Sequence, residues 1–159
     1  MYKRGGIQSA VIHNGILVDS IQRKHFNYIK TEQPFKIVQI SRLLHKKKGQ
    51  HVAIGAIKRL VAEGYTNVRL YFIGGGPSLL FLKKIVEEER LEEYVFFIGE
   101  KDRDWIYNNL KNYDLLLQPS IFEGFGLTII EGISAGLPVI ASNIDGPAEI
   151  LQEMPSGFL

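Results

Sequence analysis

Two glutamates, Glu123 and Glu131, flank a Gly-Phe-Gly turn, with seven residues between them. The stretch reads Gln118-Pro119-Ser120-Ile121-Phe122-Glu123-Gly124-Phe125-Gly126-Leu127-Thr128-Ile129-Ile130-Glu131. It leaves an apolar run over 114–117, which reads as a buried strand, and enters a helical pattern closed by Ala135-Gly136. Glycine lets a backbone approach a ligand closely, and the first amides of a helix have no partners within it. A phosphate can therefore rest on Gly126, Leu127 and Thr128. A carboxylate is a poor phosphate ligand but a good acceptor for sugar hydroxyls. Phosphate on the amides, with an acid at each end, points to a sugar nucleotide. The plainer reading is that Thr128 and Glu131 form a capping box and that Glu123 is a solvated loop acid; for Thr128 the two readings are compatible.

The surrounding elements must bring such a loop to the edge of a sheet. Apolar runs predict strands over 35–41, 67–73, 94–98, 114–118 and 137–141, with a short first strand over 11–16 broken by Asn14-Gly15. Between them lie helical patterns. Val52, Ala53, Ala56, Ile57, Leu60 and Val61 form a stripe over 50–63 that ends at Gly64, and Leu79, Leu82, Ile85 and Val86 form another. Further helices are expected over 102–112 and 146–151. This alternation predicts an α/β fold, a Rossmann-like, doubly wound and mainly parallel sheet of about six strands with helices on both faces. Such a sheet binds ligands at the carboxyl ends of its strands. The loops at 42–49, 74–77, 99 onward and 119–126 all fall at that edge. Residues 1–34 read as an entry segment and 35–159 as the nucleotide-binding domain.

Composition narrows the classes. With 159 residues the chain is long enough for one domain with a real core, and its net charge of +2 implies no broad basic field for nucleic acid. It has no cysteine, which excludes a disulfide framework and a thiolate metal site. His13, His25, His45 and His51 show no metal-ligand spacing, so the expectation is no metal. No apolar run approaches the roughly 18–20 residues that span a bilayer, and a cytoplasmic location is expected. The basic loop with Lys46, Lys47 and Lys48 also suits peripheral contact with anionic lipid at the inner face of a membrane.

Several motifs together carry a resemblance. Pro119-Ser120, the run Glu123-Gly124-Phe125-Gly126-Leu127, Glu131, and Gly136-x-Pro138-Val139-Ile140-Ala141-Ser142 resemble the signature of retaining glycosyltransferases of family 4, the group 1 type. The resemblance implies the carboxyl-terminal, donor-binding half of a GT-B fold. It further implies hexose transfer from a UDP-sugar or GDP-sugar, without metal or other cofactor, in the setting of polysaccharide biosynthesis. Val11-Ile12-His13-Asn14-Gly15-Ile16 and Ser156-Gly157-Phe158-Leu159 resemble phrases internal to the family. On that basis the chain is expected to be cut at both ends, with the amino-terminal acceptor-binding domain missing. The isolated domain should then transfer little or no sugar.

Residue by residue, the resemblance puts Arg42 and Lys48 on the donor diphosphate, Lys48 being chosen because it precedes Gly49. It puts Glu123 at the transferred hexose, Glu131 at the ribose, and Gly124, Phe125, Gly126, Leu127 and Thr128 in the cradle. Gly99 and Glu100 would offer backbone contacts to the base, with uracil and guanine not separated. The run Gly74-Gly75-Gly76-Pro77 starts like a dinucleotide fingerprint, but Leu79 stands where the third glycine belongs, so Gly74 and Gly76 read as a tight turn near the phosphate. Asp102-Arg103-Asp104 matches a short metal motif, yet it opens a helix, where capping is the preferred reading. The competing functions are a sugar-nucleotide epimerase half, a non-catalytic binding or assembly module and, less in keeping with the motifs, an oxidoreductase.

Overall fold

The computed structural model describes residues 2–4, 7–10, 12, 14–25, 33–152 and 157–158. A small antiparallel hairpin, β1 (Tyr2–Arg4) with β2 (Ile7–Ser9), precedes the main body. The main sheet contains β3 (Phe35–Ile40), β4 (Val68–Ile73), β5 (Val95–Gly99), β6 (Leu115–Gln118), β7 (Val139–Ala141) and β8 (Gly157–Phe158). Its order is β5-β4-β3-β6-β7-β8, and every pairing is parallel.

Helices cover both faces because the strands bury both of their sides. Along β3, Ile37 packs with Leu70, Phe72 and Val95 under α2 (Gln50–Ala62) and α3 (Leu79–Glu88), where Ile54, Ile57 and Leu82 are fully buried. Its neighbours Val38 and Ile40 point the other way, toward Leu116 and Val139 and the layer of α4 (Arg103–Asn109) and α5 (Leu127–Ser134), which supply Tyr107 and Ile129. Each large apolar side chain removed from water in this way contributes ~1.5–3 kcal/mol. The period-two alternation, read on both sides as apolar, is what makes the sheet doubly wound.

The expected strands at 35–41, 67–73, 94–98, 114–118 and 137–141 all form, with ends shifted by a residue or two. The sixth differs. Ile12 and residues 14–16 form no strand, Ile12 is 90% exposed, and the sixth strand is β8. Val11 and His13, with Ser156 and Leu159 of the other phrase, lie outside the described residues. The helix expected over 102–112 divides into α4 and a 3-10 turn at Leu110–Asn112. The basic loop contains a single helical turn, α1 (His45–Lys48), and the chain's last helix is α6 (Asp145–Leu151).

Part of the entry segment belongs to the body of the domain. Ile21 is buried in the α4/α5 layer, the amides of Gln22 and Lys24 donate to the carbonyls of Tyr107 and Ala135, and Lys24 pairs with Asp114 at 2.5 Å. No helix among the described residues is long and apolar enough to cross a membrane.

Register positions the site. β3 and β4 run level from Phe35↔Val68 to Ile40↔Ile73, so the loops that follow them emerge side by side. They are laced by Ser41 N–H to the Ile73 carbonyl at 3.0 Å and Leu43 N–H to the Gly75 carbonyl at 2.8 Å. Sequence order runs outward from β3 through β4 to β5 and, on the other side, from β6 through β7 to β8. The reversal lies between β3 and β6, where a crevice opens beyond the strand ends.

Candidate functional site

Two adjoining cavities occupy that reversal point. One, of about 470 Å³, is lined by Arg42, Lys48, Gln118, residues 123–128 and Glu131. The other, of about 590 Å³, is lined by Arg42, Gly74, Gly75, Gly76, Glu100, Lys101 and Thr128 among others. They share Ile40, Ser41, Arg42 and Thr128, and so form one crevice across the carboxyl ends of β3, β4 and β6. Every expected site residue except Gly99 lines it. Gly99 ends β5, and its carbonyl accepts the Gly74 amide at 2.8 Å, an interaction that closes the glycine turn. Sequence also left the choice between Lys46, Lys47 and Lys48 open to competition. Lys48 lines the crevice, whereas Lys47 reaches over the Phe122 ring at 5.7 Å and Lys46 is exposed.

The phosphate-sized features converge on Arg42. Helix α5 starts at Gly126, which takes a left-handed φ of 97° and supplies no side-chain cap. The first-turn amides of Leu127 and Thr128 have no acceptor within the helix, and both residues line the crevice. The capping box does not form, because Gly126 begins the helix before Thr128, placing Thr128 inside the first turn. Across the crevice, exposed Arg42 makes no ion pair among the described residues. Helix-start dipoles and an exposed cation thus border the same space.

Glu123 is fixed through one oxygen. Its Oε2 accepts from Lys48 Nζ at 2.7 Å, Gln118 Nε2 at 3.2 Å and Ser120 Oγ at 3.3 Å. The backbone beneath is tied as firmly. The Lys47 carbonyl accepts the amides of Ile121 and Phe122, and Gly49, at φ 66°, lies so close to Pro119 that a Cβ there would sit 1.8 Å from its carbonyl oxygen. Only glycine fits such a contact in the left-handed region.

Glu131 is held differently. Its Oε1 accepts from the Tyr107 hydroxyl at 3.3 Å. Burial pushes its carboxyl above the usual carboxylate range, opposed by the Tyr107 hydrogen bond and the nearby Arg103 charge. The Tyr107 phenol is itself pushed up, first by burial and then by the Glu131 charge.

Sequence reasoning missed the residues that hold the functional groups. Buried Gln39 donates to the Lys48 carbonyl at 2.7 Å, and buried Gln50 donates to Ser41 Oγ and the Arg42 carbonyl, both at 3.0 Å. The available signal was an amide at the end of an apolar strand, as at Gln39 and Gln118, because an uncharged polar group in such a run must find partners. The Asp102 motif does cap α4, its Oδ1 accepting the Trp105 amide at 2.7 Å.

The doubly wound sheet and its carboxyl-edge crevice define a Rossmann-like domain of the kind that forms the carboxyl-terminal half of GT-B glycosyltransferases. The chain belongs to the family of glycosyl transferases group 1, whose model matches residues 20–159. It is 41% identical over 103 residues to Protein CapJ of Staphylococcus aureus, covering 64% of this chain and 26% of that protein. It is 30% identical over 148 residues to the putative colanic acid biosynthesis glycosyltransferase WcaL of Salmonella typhimurium, covering 89% of this chain and 36% of that one. The fold matches the crystal structure of Anabaena Alr3699/HepE in complex with UDP and glucose, with a TM-score of 0.79 at 25% identity, over 94% of this chain and 42% of that one. The chain thus spans 26–42% of the length of these relatives.

Proposed function

We propose that this crevice binds a nucleoside-diphosphate sugar and that the domain is the donor half of a family 4 hexosyltransferase acting with retention on a glycan, lipid or other acceptor. The observation that carries the reading is the convergence of Arg42, Lys48 and the open α5 amides on one space bounded by two glutamates. As the bond from the anomeric carbon to the distal phosphate oxygen breaks, negative charge grows on the diphosphate. Arg42, Lys48 and the amide dipoles are placed to meet it, so the reading assigns that work to protein groups rather than a metal. Glu123, with Oε2 committed to three donors, offers Oε1 to the hexose, while Glu131 faces the ribose. Acceptor recognition belongs to the remainder of a longer enzyme. A cytoplasmic setting, with exposed Lys46 and Lys47 beside an anionic membrane surface, fits the same reading.

Calorimetric titration with UDP and GDP tests it. Saturable binding of one of them is expected, weakened about tenfold or more in Arg42→Ala and in Glu131→Ala, as for loss of a charge-assisted contact. Binding unchanged in both variants would remove the crevice as the donor site.

A further inference from the structure

We propose that Tyr107 is a positioning residue for Glu131: its buried hydroxyl holds Oε1 of that carboxylate so that Oε2 is presented to the ribose hydroxyls of the bound nucleotide. The inference rests on the donor-site reading above. It starts from the sequence positions of the pair, 24 residues apart and on different helices, α4 and α5. Tyr107 is 4% exposed, packed within the α4/α5 layer, and its backbone carbonyl is pinned by the Gln22 amide at 3.1 Å. Helix α4 is capped at its start by Asp102. The ring therefore stands on a fixed element, and its hydroxyl reaches Glu131, which lines the crevice.

A buried phenol requires a hydrogen-bond partner, and it has one proton to donate. A carboxylate has about four acceptor positions, so a phenol on Oε1 leaves Oε2 fully available. The terminal torsion of a glutamate is broad, and among the described residues the Tyr107 hydroxyl is the hydrogen-bond donor that selects its orientation. The charged groups around Glu131 are Arg103 on α4 and, across the crevice, Arg42 and the Lys48 and Glu123 pair. Burial favours the neutral acid while the phenol favours the carboxylate, the form that accepts from a ribose.

The experiment is a double cycle between Tyr107→Phe and the ribose, using UDP and 2′,3′-dideoxy-UDP with the 159-residue chain. Phenylalanine keeps the ring and its packing. Wild type should bind UDP more tightly than the dideoxy analogue. Tyr107→Phe should weaken UDP about five- to tenfold, the scale of one charge-assisted hydrogen bond, while leaving the dideoxy analogue unchanged. The acid limb of UDP binding should also move to higher pH, because loss of the donor raises the carboxyl further. Glu131→Gln is the second arm: it should remove the carboxyl's share of that limb, leaving only the share that the nucleotide's own terminal phosphate contributes, whether or not Tyr107→Phe folds. Equal weakening of both nucleotides with an unmoved acid limb, or an acid limb in Glu131→Gln identical to that of the wild type, overturns the proposal. Absence of UDP binding by the wild type instead overturns the donor-site reading on which it rests.

Discussion

Glu123 and Glu131 line one cavity, and the fold secures them by opposite means. Around Glu123 the chain is locked through backbone: Gly49 against Pro119, the Lys47 carbonyl to two amides, and three side-chain donors on Oε2. Around Glu131 a single phenol acts in a buried setting. The first arrangement fixes a loop, which has no hydrogen-bonded frame of its own. The second adjusts a side chain on a helix whose backbone is already fixed. Loop-borne function therefore needs many small restraints, whereas helix-borne function needs few.

The strongest way to break the contrast is Gly49→Ala. Its Cβ would meet the Pro119 carbonyl at 1.8 Å in a left-handed conformation, so the two loops must separate. The expected loss is roughly 3 kcal/mol or more, from the strained φ together with the clash. Gly64→Ala is the control. Gly64 has φ 94° but nothing within 4 Å of a Cβ, so it should cost only about 1 kcal/mol. Urea unfolding of both variants measures the difference. Equal losses would mean that backbone strain alone, rather than the loop contact, sets the cost.

Lys48→Met comes next in size. The Lys48 and Glu123 side chains are 24% and 14% exposed, so removing the cation leaves a largely desolvated carboxylate with only neutral donors. A loss of about 1–3 kcal/mol is expected, together with weaker UDP binding. Lys58→Met breaks a pair at a similar distance, 2.6 Å, whose members are 55% and 36% exposed. Solvent screening should hold that loss below about 1 kcal/mol. Matching thermal shifts for the two variants would show that the site pair is no more than a surface pair.

Much of this arrangement can be read from the chain, for physical reasons that also mark where reading stops. Buried parallel strands show as short apolar runs, and loops at their ends show as glycine clusters, so β3 to β7 and the positions of Arg42, Gly74 and Glu123 are legible. Residues 11–16 share the apolar look, but run length cannot distinguish a strand from an exposed segment, and Ile12 is exposed. β8 has two residues, too few for any period. Thr128 and Glu131 have capping-box spacing, yet spacing does not reveal that Gly126 starts the helix first. Tyr107 reads as one more apolar residue of a helix, because its partner lies across a helix contact that only the tertiary fold creates.

Gln118→Leu gives the smallest stability change and the sharpest distinction between the two glutamates. Gln118 is 1% exposed; its Nε2 donates to Glu123, while its Oε1 is buried with no hydrogen-bond partner among the described residues. Leucine removes a useful donor and an unsatisfied acceptor together, and the two effects, each on the order of 1 kcal/mol, oppose one another. Net stability should change by less than about 1 kcal/mol, with a sign that thermal unfolding will show. Glu123 keeps Lys48 and Ser120, so UDP affinity should fall less than about threefold, because two of its three donors remain. Tyr107→Phe removes the one side-chain donor to Glu131 among the described residues and should weaken UDP more. If Gln118→Leu proves the more damaging of the two, redundancy at Glu123 is not what secures the loop, and the buried amide itself must organise that part of the crevice.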